Sequence, residues 1–170
     1  MEKKLLITGA NGFLGSAITK LAVKKGFDVN VLVRKRSDLT NLKSISTKIN
    51  FCYGDVRNID SIKEAVKKSN IVFHVAADYR LWSKKTSEIY STNVYGTENV
   101  ASAVISEKKK MIYTSSVATI GLKKKKISDE NVKSNFSDMQ GDYKKSKFLA
   151  EQIILSLIKK KNLKAIIVNP

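Results

Sequence analysis

A serine at the end of an apolar run, followed by a tyrosine and a lysine four residues apart, could together move a proton on an alcohol or a carbonyl. Tyr143 and Lys147 share one helix face at that spacing. A phenol normally titrates near 10. A neighbouring ammonium favours the phenolate and brings it toward working pH. Ser116, just past the run Met111–Ser115, could donate to a substrate oxygen that gains charge during reaction. Ser115 is the alternative if the register slips by one residue. Tyrosine and lysine at this spacing are common and lysines abound here, so the order of the motifs carries the weight.

Upstream of that set, Leu5-Leu6-Ile7 reads as a buried strand and Phe13, Leu14, Ala17, Ile18, Leu21 and Ala22 as a helix. Between them lies Thr8-Gly9-Ala10-Asn11-Gly12-Phe13-Leu14-Gly15. A strand, a glycine turn and a helix start form an anion site: the chain turns tightly, and free N–H groups face a pyrophosphate. The spacing is G-x-x-G-x-x-G rather than G-x-G-x-x-G, and small-residue turns also occur without ligands. The second strand ends in Val33-Arg34-Lys35-Arg36. Arginine there accommodates a ribose 2′-phosphate, where an acid would bond the 2′-hydroxyl, so Arg34 points to NADP over NAD. The alternative is a solvated basic turn. Asp55, after the third strand, could accept from an adenine amine or serve as a helix cap or turn residue. Ala76 and Ala77 leave room for a ligand at the end of the fourth strand. His74, inside an apolar strand, reads as a packed, hydrogen-bonded core residue rather than a base. A positive nicotinamide ring would add to the field that favours the Tyr143 phenolate.

These residues need a scaffold that gathers strand ends. Strands are expected at Lys4–Thr8, Asp28–Val33, Ile49–Tyr53, Ile71–Val75, Met111–Ser115 and Ala165–Val168. Helices are expected at Gly12–Lys25, Ile59–Lys67, Ser87–Glu107 and Tyr143–Lys160, with a short one near Asp38–Ile45. The alternation predicts an α/β fold: a doubly wound parallel sheet of about six strands with helices on both faces and ligands at the carboxyl ends. The stretch from Gly121 to Gly141 reads as a long, lysine-rich, mobile loop.

At 170 residues the chain is one domain, 1–170, with a single cysteine, Cys52, which suits a reducing, cytoplasmic setting. No leader and no membrane-spanning run is expected. The net charge of +17 invites nucleic acid, but 28 of the 32 basic residues are lysine. Base readout and bidentate phosphate contact favour arginine. Lysines clustered where helices end suit the helix dipole and solubility, and only weak, nonspecific anion attraction is expected. No metal-ligand pattern stands out. A homodimer through the long helices is a further expectation.

With these motifs in hand, the chain resembles the extended short-chain dehydrogenase/reductase superfamily, the NAD-dependent epimerase/dehydratase family. The resemblance is strongest to its dihydroflavonol-4-reductase-like branch and the hopanoid-associated sugar epimerase group. It rests on Thr8 to Gly15, Val31 to Arg34, Gly54-Asp55-Val56-Arg57, His74 to Trp82, Asn93 to Thr97, Tyr113 to Thr119, Tyr143 to Lys147 and Val168-Asn169-Pro170, in family order. The resemblance implies a Rossmann-type fold in which Gly9, Gly12 and Gly15 turn around the pyrophosphate and Phe13 and Leu14 lend amides. It implies that Arg34 meets the 2′-phosphate, Asp55 and Val56 flank adenine, Ala76 and Ala77 lie along the cofactor, and Pro170 approaches the nicotinamide carboxamide. Ser116, Tyr143, Lys147 and Asn93 match the catalytic serine, the acid/base, the ribose-binding lysine and a structural or proton-relay asparagine. Tyr79, Arg80 and Trp82 would shape a pocket for a small-molecule substrate, or else pack as an aromatic loop on the sheet. On this resemblance the chain is the cofactor-binding portion, without the C-terminal half that supplies most of the substrate lobe. The implied activity is hydride transfer between NADP(H) and a secondary alcohol or ketone. A noncatalytic NADP-binding sensor or scaffold is the competing reading.

Overall fold

Six largely apolar runs of four to six residues each form a strand, and five crossover segments join them. A computed structural model describes residues 4–123 and 125–170. The strands are β1 (Lys4–Thr8), β2 (Asp28–Val33), β3 (Asn50–Tyr53), β4 (Ile71–His74), β5 (Lys110–Thr114) and β6 (Lys164–Val168). They pair in parallel in the order β3-β2-β1-β4-β5-β6, that of the Rossmann-type doubly wound sheet. The order reverses beside β1, so the crevice above β1 and β4 is where a ligand fits such a sheet.

Side chains alternate across β1 and build a core on each face. Leu5 and Ile7 join Val29, Val31, Ala22 and Leu42 on one side. Leu6 joins Val72, Met111, Ile62, Val100 and Ile154 on the other. The first side is covered by α1 (Phe13–Lys24) and a 3₁₀ segment (Thr40–Lys48). The second is covered by α2 (Ile59–Lys67), α4 (Gly96–Ser106) and α5 (Gly141–Lys161). Asn58 caps α2 by accepting from the Asp60 and Ser61 amides. Asn162, in the left-handed conformation, ends α5 after Lys159, Lys160 and Lys161.

Three features differ from the sequence expectation. The long helix over Ser87–Glu107 is α3 (Thr86–Tyr90) and α4 joined by a π turn at Ser91–Tyr95. The short helix near Asp38–Ile45 is the 3₁₀ segment. The stretch from Gly121 to Gly141 is tied down where it is described. The Gly121 amide donates to the Val132 carbonyl at 2.9 Å, and the Ser134 hydroxyl donates to the Thr119 carbonyl at 2.5 Å. Met139 is buried, and Phe136 packs on Phe148 with ring centroids 6.3 Å apart. Apolar anchors override its polar composition. On β6 the burial alternates, leaving Ile166 64% and Val168 41% exposed.

Candidate functional site

The glycine turn is shaped by what it lacks. Gly9 has φ of 69°, and a Cβ on it would lie 2.7 Å from the Ala76 backbone. A Cβ on Gly15 would lie 2.0 Å from the Gly9 carbonyl oxygen. The Gly12 amide donates to that same carbonyl at 3.1 Å, closing the turn. Gly12 is also the N-cap of α1 and offers no side-chain acceptor, and the first turn holds no acidic residue. The start of α1 therefore presents main-chain N–H groups and positive dipole with no side chain over them. Phe13, 94% exposed, and Leu14 stand at its rim.

Thr8 links this turn to β4. Its hydroxyl oxygen accepts from the Val75 and Ala76 amides, both at 3.2 Å, and meets His74 Nδ1 at 2.8 Å. The other ring nitrogen, Nε2, meets the Thr97 hydroxyl of α4 at 2.9 Å. His74 is fully buried, and its pKa falls to about 3, first through burial and then through the Lys147 charge. Through Thr8 this neutral ring is a strut that holds Val75 and Ala76 at the turn.

The basic end of β2 leaves Arg34 exposed; bonds from Arg57 and Arg80 lower the pKa of Asp55 and Asp78 respectively, and the Arg34 charge adds the smallest part. Asp55 is a turn residue. It accepts from the Arg57 amide at 2.9 Å and pairs with the Arg57 guanidinium at 2.6 Å. Val56 is buried against Gly96, and its carbonyl accepts from Asn99 at 3.0 Å. Asn93, in the π turn, holds the segment after β4. Its side chain accepts from the Asp78 amide at 2.7 Å, and donates to the Asp78 carbonyl and the Ser146 hydroxyl, both at 2.9 Å. Such a π turn reorients a helical side chain by one position. Arg80 is committed to Asp78 at 2.5 Å and Glu88 at 3.0 Å. Tyr79, 80% exposed, and Trp82, 74% exposed, stand in solvent rather than packing on the sheet.

On α5, Tyr143 and Lys147 lie one turn apart beside the end of β5. The Lys147 ammonium donates to the Thr114 carbonyl at 2.7 Å and sits 4.7 Å from the centroid of the Tyr113 ring. Burial lowers the Lys147 pKa to about 8, with the Glu151 charge opposing the shift. Tyr113 is fully buried, and burial raises its pKa. Among the described residues its hydroxyl has no partner at hydrogen-bonding geometry, although Thr97 and Ser115 lie beside it. Ser115 and Ser116 have different surroundings. Ser115 donates to Glu151, whereas Ser116 caps a single 3₁₀ turn (Val117–Thr119) by accepting from the Ala118 amide at 3.2 Å. Pro170 closes against this turn, its carbonyl accepting from the Val117 amide at 3.3 Å. The sequence reading missed Glu151, although it continues the four-residue spacing of Tyr143 and Lys147. His74 is the packed, hydrogen-bonded residue the sequence suggests, but its partners Thr8 and Thr97 and the contacts of Asn169 were not legible there.

Lysine burial has a measurable consequence. The unfolded chain holds the Lys147 proton up to about 10.5, and the folded chain releases it near 8. Between these values the unfolded state binds more protons, so stability rises with pH across that window, by about 3 kcal/mol in total. Lys147→Met removes the buried charge and leaves the Thr114 carbonyl short of a donor. It is expected to be about 1 to 3 kcal/mol more stable at neutral pH and to lose that rise. Urea unfolding between pH 7 and 10 checks both.

A crevice at the strand-order reversal, a capless helix over a glycine turn, and a tyrosine–lysine face beside a strand end define a dinucleotide-binding fold of the Rossmann type. The chain belongs to the NAD dependent epimerase/dehydratase family, whose match spans residues 5–170. A Synechocystis sp. protein that carries a dihydroflavonol 4-reductase name is 36% identical over 172 residues, covering 100% of this chain and 49% of that protein. The crystal structure of gox2253 is 41% identical with a TM-score of 0.91, covering 100% of this chain and 51% of the other. A Brucella ovis UDP-glucose 4-epimerase solved with NAD shares the fold at 22% identity and a TM-score of 0.85, covering 98% and 51%. The chain thus spans about half the length of these relatives. Among the described residues, no helix is long and apolar enough to cross a membrane, and no cluster of three or more His, Cys, Asp or Glu side chains is placed to hold a metal ion.

Proposed function

We propose that this chain is the cofactor-binding portion of an NADP-dependent oxidoreductase or epimerase acting on a secondary alcohol or ketone. The observation that carries the reading is the glycine cradle under the bare start of α1, at the same sheet edge as Tyr143 and Lys147. The residues present fit a dinucleotide: added Cβ atoms on Gly9 and Gly15 would overlap the backbone that forms the cradle. Gly9, Gly12, Phe13, Leu14 and Gly15 hold the pyrophosphate through main-chain amides. Arg34 pairs with the 2′-phosphate, Asp55 and Val56 border adenine, and Ala76, Ala77 and Pro170 border the rest of the molecule. A bound nicotinamide supplies or takes the hydride.

The chain's own groups handle the proton and the charge. Tyr143 exchanges a proton with the substrate oxygen, and Ser116 donates a hydrogen bond to that oxygen as its charge grows. Lys147 keeps positive charge next to Tyr143 and donates to the ribose. Asn93 fixes Ser146 and the Asp78 loop behind them. Tyr79, Arg80 and Trp82 border the substrate.

Titration of NADPH and NADH against the chain, followed by dihydronicotinamide fluorescence, tests this reading. NADPH is expected to bind more tightly, and Arg34→Ala to remove about tenfold of that preference, the worth of one charge-assisted contact. Tyr143→Phe is expected to leave binding intact while abolishing turnover in the longer protein. No binding of either dinucleotide by the native chain overturns the proposal.

A further inference from the structure

Glu151 lies two helical turns below Tyr143 and one below Lys147, on the same face of α5. One of its carboxylate oxygens, Oε2, accepts from three separate segments. These are the Ser115 hydroxyl at the end of β5, the Thr119 hydroxyl at 2.8 Å in the 3₁₀ turn, and the Asn169 amide at 3.0 Å beyond β6. The two Asn169 amide hydrogens are shared among Glu151, the Ser116 carbonyl and the Thr119 hydroxyl, the last two each at 3.1 Å, and the single Thr119 hydroxyl proton lies between Glu151 and the Ser116 carbonyl, each at 2.8 Å. Ser116 is thus flanked on both sides by residues that converge on one oxygen. The parallel ladder of β5 and β6 continues into this junction through the Ser115 amide on the Val168 carbonyl and the Val117 amide on the Pro170 carbonyl, and Glu151 adds a side-chain tie from α5.

We propose that Glu151 is the positioning residue of the site, clamping the Ser115–Thr119 turn to α5 so that Ser116 stands at a fixed place relative to Tyr143 and Lys147. A carboxylate suits the task because it accepts several charge-assisted bonds at once. An amide in its place can set its one oxygen at that point but carries no charge, so all three bonds lose their charge assistance. The functional meaning rests on the reading of Ser116, Tyr143 and Lys147 as the reacting face, but the clamp does not. Glu151 also opposes the loss of charge on Lys147, whose surroundings hold His74, Tyr113 and Tyr143 besides.

Amide hydrogen exchange on the full chain, with a titration of the Lys147 side chain by NMR (its resonance assigned from Lys147→Met), separates the outcomes. In Glu151→Gln the amides of Ser115, Val117, Thr119 and Ile120 are expected to exchange about tenfold faster, while those of β1 and β2 keep their native rates. The Lys147 midpoint is expected to fall. Glu151→Asp, which keeps the charge, is expected to restore the midpoint more fully than the exchange rates. Unchanged rates and midpoint in Glu151→Gln overturn the proposal, as does an equal rise in exchange across the whole sheet. Should Glu151→Gln fail to fold, Asn169→Ala removes one donor from the same clamp and must loosen the same four amides, or the proposal falls. A native chain that binds no NADPH, yet shows the expected exchange pattern, refutes the functional reading and leaves the clamp standing.

Discussion

In a Gly15→Ala chain, NADPH binding is expected to weaken about 100-fold or more, with the sheet still folded. The new methyl group would start 2.0 Å from the Gly9 carbonyl oxygen and 2.7 Å from its carbon, both main-chain atoms. Neither can swing aside as a side chain would. Relief must come from moving α1 off the turn, which shifts the Phe13 and Leu14 amides from the places where phosphate oxygens would meet them. Overpacking of this kind costs about 1 to 3 kcal/mol of stability, a tolerable loss for a domain of this size. Fluorescence titration and urea unfolding on the same sample distinguish lost binding from lost folding. Native affinity in the variant would mean that the phosphates rest elsewhere.

Acid is expected to unfold the protein through one imidazole. The unfolded chain takes a proton on His74 below about 6.5, and the folded chain does not until about 3. Across that window the unfolded state binds more protons, so stability falls as pH falls, by about 4 to 5 kcal/mol in total. That approaches the whole stability of a typical domain. His74→Gln keeps a hydrogen-bonding side chain between Thr8 and Thr97 without the titration, so its stability is expected to depend far less on pH between 6.5 and 4. Denaturant midpoints for both chains over that range provide the check. Parallel curves for the two would show that the carboxylates, rather than His74, govern acid unfolding.

The sheet was legible because strands buried on both faces are nearly continuous apolar runs, as in Val29 to Val33, interrupted by Asn30, and Ile71 to Val75, interrupted by His74. The glycine turn was legible because few side chains satisfy its geometry. The π turn was not: it depends on Asn93 reaching the Asp78 backbone and Ser146, contacts between residues 15 and 53 positions apart. The choice between Ser115 and Ser116 stayed open in the sequence for the same reason. Only the approach of Glu151, 36 residues after Ser115, makes the two hydroxyls different. Glu151 itself hid among the many charges of α5, where a solvated face is the ordinary expectation. Two distant anchors likewise decide the fate of the 121–141 stretch, namely Met139 in the core and Phe136 on Phe148.

The bare side of β6 shapes how the polypeptide behaves among its own kind. Among the described residues β6 stands last in the strand order, with Ile166 and Val168 exposed on it, and a strand in that place is a template on which another extended segment can add. Mutual repulsion from the surplus of 17 positive charges opposes such addition by a second copy. That guard reaches only about 8 Å at physiological ionic strength and shrinks as salt rises. Colloidal stability should therefore be best in dilute buffer and worst in brine, the reverse of a protein that salts in.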